Sequence, residues 1–319
     1  HPDAATNLIS DREFIYGNPD QAFSEADRIV DLKIHYPRNS LTPIEGFVAL
    51  VEYLPDEDSY DVFSNFQGPY TGHPIIARAL RVPEPNVRLR TPSNSGGSFG
   101  VKQAVLPYIV LMGLCSKITG RPVKWVEDRL EHLTAASSAP NRIVNISAAV
   151  KSDGEITGLR MEQLDDYGAY LRSPMPGPLY RMHGAITGAY KVKNVSCINK
   201  LVMTNKTPAG LVRGFGGPQL YFALERLIHK VAVELGEDPL SVIRRNLLES
   251  GVFPYRTPAG AIYDSGDYPA TVEKAVKNGG LQDLLKRRDE ARAKGKKYGI
   301  GYAAVVEPGM SNMGYLSTI

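Results

Sequence analysis

The sequence predicts an α+β protein in which mixed sheets and packed helices form two lobes. Short runs of alternating apolar and polar residues predict strands, and longer runs with apolar residues at helical spacing predict helices. The two kinds of element are interleaved without the strict strand–helix–strand rhythm of a doubly wound fold. With 319 residues, 43% of them hydrophobic, the chain is long enough to bury the core of such a protein.

The first lobe is predicted over about residues 25–140. Helices are expected at about 71–80 and from the stretch after "GGSFG" to about residue 119, with Gly120 as the residue that ends the second helix. Pro107 lies inside that helix, which it either starts or kinks. Alternating runs predict strands at 28–36, 47–54 and 60–66, and shorter strands near 86–91 and 122–126.

The second lobe is predicted over about residues 141–319, and residues 1–24 are expected to be a leading linker. Two apolar runs, 142–150 and 156–164, flank an Asp-Gly pair at 153–154, which is typical of a β-hairpin. A strand at 197–205 and a helix at 219–235 follow. Asp238 is expected to cap the next helix, with Pro239 in its first position.

Charge and cysteine content exclude several classes of protein. The net charge is only +3 and the basic residues are dispersed, so a nucleic-acid surface is not expected. Cys115 and Cys197 lie far apart without metal-ligand spacing, which favours a reducing compartment, the cytoplasm. The longest apolar run, 106–115, is too short for a membrane span. Because the chain begins with His1, we expect it to be a piece of a longer protein.

Two glycine-rich stretches of similar design are the most informative motifs. "SGGSFGVKQ" (95–103) and "LVRGFGGPQL" (211–220) each set a phenylalanine, Phe99 or Phe215, among glycines at the start of a helix. Such a turn exposes backbone N–H groups at a positive helix end, which suits an anion or an electron-rich oxygen. Either stretch alone is more typical of a tight turn. Neither has the spacing of a nucleotide-binding fingerprint, although a phosphate- or nucleotide-binding module stays an alternative.

Taken together, these stretches resemble the molybdenum hydroxylases, the family of xanthine dehydrogenase, aldehyde oxidoreductase and the carbon monoxide dehydrogenase large chain. Similar family stretches are matched by "PIEG" (43–46), "SNFQGPY" (64–70), "RPVKWVEDR" (121–129) and "SDGEITGLR" (152–160). The resemblance runs from about residue 25 to the end. It implies the first half of the molybdopterin-binding subunit, with the N-terminal region and the C-terminal half of that subunit absent.

The resemblance implies a cofactor-binding role for several residues. Family members bind a molybdenum pterin whose metal has no direct protein ligand, so the protein contributes contacts around the metal. Gln67 matches the glutamine that hydrogen-bonds at the molybdenum oxygen. Backbone at Phe99 would donate to the metal's oxo group, and Arg213 would support polar groups of the cofactor. The glycines of the two turns complete the expected cradle: Gly96, Gly97, Gly100 and Gly214.

Three residues are implied as substrate contacts. Phe215 would stack on a planar substrate, with a packed core aromatic as its alternative. Gln103 stands where xanthine-type enzymes carry a glutamate that engages the purine, so purine oxidation is not expected. Arg181 lies nine residues before Tyr190, the spacing of a substrate arginine, although an ordinary surface arginine explains it equally well. Gly214 and Phe215 replace the cysteine of copper-containing carbon monoxide dehydrogenases, which argues against that chemistry.

The implied function is oxidation of an aldehyde or N-heterocycle with water as the oxygen source. The family's glutamate base cannot be placed in this chain, so no catalytic residue is predicted. The cofactor is expected to be molybdopterin, either as such or in its cytosine dinucleotide form. The expected partners are the C-terminal half of the subunit and chains that carry iron–sulfur clusters and FAD. The alternative is a catalytically inert subunit that cradles the cofactor until a second chain completes the site.

Overall fold

A computed structural model of the chain describes residues 5–172 and 175–307. Its strands form a five-stranded sheet, a four-stranded sheet and a small two-stranded ribbon. The strands are β1 (Leu8–Tyr16), β2 (Arg28–Tyr36), β3 (Val48–Leu54), β4 (Ser59–Ser64), β5 (Val87–Arg90), β6 (Val123–Val126), β7 (Asn141–Val150), β8 (Ile156–Asp166), β9 (Asn194–Val202), β10 (Tyr255–Arg256) and β11 (Ile262–Tyr263).

Helices pack on both sheets. They are α1 (Pro19–Ser24), α2 (Pro69–Leu80), α3 (Leu106–Thr119), α4 (Arg129–Ala135), α5 (Gly177–Tyr180), α6 (Gly217–Leu235), α7 (Pro239–Asn246), α8 (Tyr268–Asn278) and α9 (Leu281–Ala293). The predicted α+β class is confirmed by this mixture of helix and mixed sheet.

The five-stranded sheet is the centre of the larger lobe. Its order is β1-β9-β8-β7-β2, antiparallel except for the parallel pair β8–β9. Alternate residues of β7 and β8 face a core completed by the apolar side of α6, where Leu220, Leu224 and Leu227 are buried. The spacing of these leucines places them on one helical face, which is why the helix lies against the sheet.

The four-stranded sheet forms the smaller lobe, in the order β5-β4-β3-β6. Its strands pair antiparallel except for β4–β5, and α2 and α3 pack together against it. A 3-10 turn at Val101–Val105 leads into α3, and Pro107 lies in the first turn of that helix, where a proline costs no hydrogen bond. Gly120 ends the helix with φ 62°, as the sequence predicts.

The predicted division of the chain differs from the structure in two respects. Residues 8–24 are not a linker, because β1 pairs along its length with β9 and α1 packs on β8. The strand β2 lies in the first predicted lobe but pairs with β7, so it belongs to the larger lobe. The smaller lobe is therefore an excursion of the chain between two paired strands. The last part of the second predicted lobe, 308–319, lies outside the described residues.

One apolar segment of the smaller lobe, Val101–Thr119, satisfies the length and composition expected of a membrane-crossing helix. It is the only such segment in the described part of the chain. Val101, Val105 and Ile109 are fully buried in the core of the smaller lobe. The segment is therefore packed as a core helix along one side.

Candidate functional site

The two glycine-rich turns meet at the junction between the lobes. The backbone N–H of Arg213 donates to the carbonyl oxygen of Phe99 at 2.7 Å. At Gly100, which has φ 104°, an added Cβ would lie 2.9 Å from both the carbonyl carbon and the oxygen of Leu211. Only glycine permits this backbone conformation together with such a close approach of two main chains. The turn at 95–100 and the turn at 211–217 thus form one unit.

A cavity of about 530 Å³ opens where the turns meet. The residues that line it come from both turns and from two neighbouring segments: Gln67, Phe99, Gly100, Arg181, Leu211, Val212, Arg213, Gly214 and Phe215. The structure thus brings seven of the ten residues predicted from the sequence to one cavity: Gln67, Phe99, Gly100, Arg181, Arg213, Gly214 and Phe215.

Gln67 connects strand β4 to the first turn. It lies between β4, which ends at Ser64, and α2, and its Oε1 accepts hydrogen bonds from the N–H of Gly100 at 3.1 Å and from the hydroxyl of Ser98. Its Nε2 makes no hydrogen bond within the described parts of the chain. The amide therefore fixes the turn with its oxygen and leaves its nitrogen as a donor toward the cavity that it lines.

The backbone of both turns is held in conformations that are unusual for phenylalanine. Phe99 has φ 54° and Phe215 has φ 36°, whereas side chains other than glycine seldom adopt positive φ. The N–H groups of Phe99 and Gly214 have no hydrogen-bond acceptor among residues 5–172 and 175–307. Strain and unpaired donors at one hollow are typical of a site built to hold a ligand.

Two arginines flank this backbone. The guanidinium carbon of Arg213 lies 5.0 Å from the ring centre of Phe99, within the range of a cation–π interaction. Arg181 donates from Nη1 to the carbonyl oxygen of Gly214 at 2.9 Å and from Nη2 to Oε1 of Glu307 at 3.0 Å. Arg181 thus binds the main chain of the second turn, and it also lines a larger, mostly apolar cavity of about 890 Å³.

Three predicted site residues do not line the cavity between the turns. The N–H of Gly96 donates to Oε2 of Glu45, and Gly97 packs on the ring of Phe99. These two glycines therefore shape the first turn from behind. Gln103 lies in the 3-10 turn, where its Nε2 is 3.4 Å from Oγ1 of Thr71 and its buried Oε1 has no donor. Gln103, predicted as a substrate contact, does not line this cavity.

Sequence reasoning missed an ion pair behind the first turn, between a buried lysine and a glutamate whose side chain is 33% exposed. Lys102 is fully buried, and its Nζ donates to Oε1 of Glu45, which also accepts from Asn65. Burial opposes ionisation of Glu45, but the hydrogen bonds from Lys102, Asn65 and Gly96 outweigh it and hold the pKa of that carboxyl below its usual value. Both residues lie in or beside motifs that carry the family resemblance, "PIEG" and "GGSFG", but nothing in those motifs indicates that they pair.

A second missed group lies under the other turn. Arg142 is buried on β7 and forms a two-pronged ion pair with Asp165, with Nε–Oδ1 at 2.5 Å and Nη2–Oδ2 at 2.8 Å. Asp166, its neighbour on β8, instead accepts from Thr204, Lys206 and the N–H of Gly168. Adjacent carboxylates on a strand therefore serve opposite faces, and they are not a catalytic pair.

The groups with strongly shifted pKa values do not line this cavity, and no candidate metal cluster is found among the described residues. The described residues contain no cluster of three His, Cys, Asp or Glu side chains that could hold a metal ion. Burial raises the pKa of Glu225 on α6 to about 7, and burial beside Arg12 lowers the pKa of His183 to about 4. Neither residue lines the cavity between the turns.

Comparison with known proteins identifies what this architecture is similar to. The family model of the molybdopterin cofactor-binding domain matches residues 1–247. Two proteins of Paenarthrobacter nicotinovorans, the gamma subunit of the 6-hydroxypseudooxynicotine dehydrogenase complex and the large subunit of nicotine 6-hydroxylase, are each 32% identical to the chain. The matches cover 92% and 94% of this chain and 37% of each relative, so the chain spans little more than a third of their length.

A solved structure gives the same result for the fold. Quinoline 2-oxidoreductase from Pseudomonas putida 86 superposes with a TM-score of 0.85 and 29% sequence identity, over 92% of this chain and 38% of that one. The similarity therefore includes the sequence and the arrangement of both lobes. The chain belongs to the molybdenum hydroxylase family of oxidoreductases, whose molybdopterin cofactor-binding domain it matches over residues 1–247.

Proposed function

We propose that this chain holds the molybdenum cofactor of a hydroxylase that oxidises an aldehyde or an N-heterocycle with water as the oxygen source. The observation that carries the proposal is the convergence of two glycine-rich turns on one cavity, with the unpaired N–H groups of Phe99 and Gly214 beside it. When bound, the cofactor supplies the metal at which the substrate is oxidised. The residues of this chain would bind the cofactor and orient the substrate.

The donor set of the cavity fits such a cofactor. An electron-rich oxygen on the metal needs preorganised N–H donors, which Phe99 and the free amide nitrogen of Gln67 can provide. Polar groups of the pterin need donors as well, which Gly214 and the exposed guanidinium of Arg213 can provide.

The substrate would lie against Phe215 in this proposal. The ring is half-buried, lines the cavity and is held at positive φ, as expected for a fixed wall. A planar heterocycle would stack on such a ring and gain orientation relative to the metal. Arg181 supports this wall from behind through its hydrogen bond to the carbonyl of Gly214.

A second candidate function, a cofactor cradle without activity of its own, is favoured by one specific observation. No carboxylate is among the described residues that line the cavity, so this part of the chain offers no general base. The chain would then be a cofactor cradle that turns over only when the remainder of the large subunit completes the site. Electrons would leave to partner chains that carry iron–sulfur clusters and FAD, in the cytoplasm, where the free thiols of Cys115 and Cys197 stay reduced.

The experiment is expression in a host that makes molybdopterin, once as this chain and once with the remaining large subunit and its partner chains. Molybdenum is measured per chain, dye reduction is followed with quinoline and with benzaldehyde, and the released nucleotide reveals whether the cofactor is the cytosine dinucleotide form. Molybdenum and turnover in the complete assembly support the proposal. Turnover by this chain alone contradicts the cradle, and tight ATP or NAD binding without molybdenum in the complete assembly contradicts both.

A further inference from the structure

The ring of Phe215 rests on a short segment of main chain, residues 176–178. An added Cβ at Gly177 would overlap with the Phe215 ring, and one at Gly216 would overlap with the carbonyl of Pro178. The ring and its turn therefore sit directly on this segment, with no side chain between them. Any displacement of residues 176–178 would move the aromatic wall of the cavity.

Two buried side chains hold this segment from below. The hydroxyl of Tyr167 donates to the carbonyl oxygen of Pro176 at 3.0 Å, and Nη2 of Arg142 donates to the carbonyl oxygen of Pro178 at 3.1 Å. Tyr167 is 0% exposed and Arg142 is 1% exposed. Both donors are thus fully desolvated, and the carbonyls they bind mark the two ends of the segment.

Arg142 is itself fixed by its other partners. Asp165 binds it through two oxygens, and Nη1 donates to Oε1 of Gln163 at 2.9 Å. A buried ion pair adds little net stability over a well-packed apolar pair, because both charges lose their hydration. What the planar guanidinium does provide is a rigid fork, which aims its remaining N–H at one carbonyl. Orientation is therefore the property that distinguishes this group from an apolar filler.

We propose that Arg142 and Tyr167 are positioning residues that fix the ring of Phe215 by clamping the main chain of residues 176–178 beneath it. They touch neither the cavity nor a ligand, and they act through two carbonyl groups. The inference rests on the proposed function only in taking Phe215 as the substrate wall. The clamp itself is a property of the polypeptide and can be tested without cofactor.

The direct test is ¹⁹F NMR of the full chain carrying 4-fluorophenylalanine at position 215. A fixed ring gives one resonance in the parent chain. Arg142→Lys keeps a cation beside Asp165 but cannot also reach Pro178, so the resonance is expected to shift or split. Arg160→Lys is the control, because this exposed arginine of β8 pairs with Asp20 of α1, and its substitution should leave the resonance unchanged.

A milder variant keeps the test decisive if Arg142→Lys does not fold. Tyr167→Phe removes one hydroxyl and no charge, and it is expected to shift or broaden the same resonance. Circular dichroism and thermal unfolding verify that each variant is folded. An unchanged ¹⁹F resonance in the folded variants would overturn the inference, whatever their stability, because a merely structural role would alter the melting temperature and not the ring environment.

Kinetics in the complete enzyme give a second measurement. Arg142→Lys is expected to lower the ratio of kcat/KM for quinoline over benzaldehyde by on the order of tenfold. In a Phe215→Ala background the same substitution should have no further effect on that ratio, and additive effects would contradict the clamp. If the parent assembly contains no molybdenum, the proposed function fails, and the ¹⁹F result still decides the inference.

Discussion

Phe99 and Arg213 contact each other twice, through main chain and side chain. The N–H of Arg213 donates to the Phe99 carbonyl at 2.7 Å, and its guanidinium carbon lies 5.0 Å from the centre of the Phe99 ring. Each residue belongs to a different lobe of the sequence, so this double contact joins the smaller lobe to the turn before α6. The cavity between the turns is lined by both residues of this contact.

The close approach at Gly100 gives the first prediction. Gly100→Ala should destabilise the chain by about 3 kcal/mol, since it adds positive-φ strain and a clash with the main chain of Leu211. Gly260→Ala is the matched control: Gly260 has φ 92° but nothing within 4 Å of an added Cβ, so about 1 kcal/mol is expected. Urea unfolding measures both. Equal losses would mean that contact with Leu211 contributes nothing.

A second prediction separates cofactor binding from substrate handling. Gly214→Val should empty or displace the cofactor in the complete enzyme, because Gly214 has φ 91° and an added Cβ would lie 2.7 Å from Cδ of Pro218. Phe215→Ala should keep the molybdenum content and lower kcat/KM for aromatic substrates. Metal analysis and steady-state kinetics of both variants test this. A full molybdenum content in Gly214→Val would contradict a close contact between the main chain at Gly214 and the cofactor. Unaltered kinetics of Phe215→Ala would contradict a contact between Phe215 and the substrate.

Most elements could be predicted from the sequence because they depend on local patterns, whereas the expectation that the two turns share one site came from the family resemblance. Three such patterns depend only on residues close in sequence: the alternation in β2–β4, the Asp-Gly hairpin and the leucine face of α6. The sheet to which a strand belongs cannot be predicted from local patterns, since β2 pairs with β7 across more than a hundred residues. The linker predicted for the N-terminus was wrong for the same reason, as β1 is defined by its partner β9.

The buried charged residues behind the two turns, Lys102 and Arg142, could not be predicted from the sequence either, because their partners are distant along the chain. Lysine, arginine, glutamate and aspartate are ordinary surface residues in most sequences, and nothing local marks Lys102 or Arg142 as buried. Their roles depend on partners that only the fold brings close, Glu45 and Asp165. Gln103 illustrates the opposite case, because its position in the motif suggested the cavity while the 3-10 turn directs it to Thr71.

The ion pair behind the first turn gives a third prediction. Lys102→Met should cost about 3 kcal/mol of unfolding free energy, since it leaves Glu45 charged without its cation. Adding Glu45→Gln should recover part of this loss, because the amide can still accept from Gly96. The exposed pair of Arg90 with Asp61 is the control, and Arg90→Met should cost less than about 1 kcal/mol. Urea unfolding of the wild type and of each variant measures these losses. The prediction is contradicted if the double variant is the least stable.

The pH dependence of stability gives the last prediction, through Glu225. Its carboxylate accepts from the hydroxyl of Tyr190 and from the N–H of Ala304, and burial raises its pKa from 4.5 to about 7. A raised pKa means that the folded chain binds the proton more tightly than the unfolded chain. The stabilisation is therefore complete below about pH 4.5 and is lost as the pH rises through 7. His183 has the opposite sign, since its pKa falls to about 4 and its stabilisation is lost as the pH falls below 6.5.

Because the two groups offset each other, the wild-type stability curve alone would conceal both, and a difference measurement is needed. Glu225→Gln keeps the volume and the hydrogen-bond acceptor but cannot ionise, while His183 titrates equally in both chains and cancels. The variant should therefore gain stability relative to wild type as the pH rises from 5 to 8, by at most about 3 kcal/mol. Urea unfolding at intervals across that range measures the difference. A constant difference would show that Glu225 is already ionised at pH 5, in which case the cost of burying its charge is met by Tyr190 and Ala304.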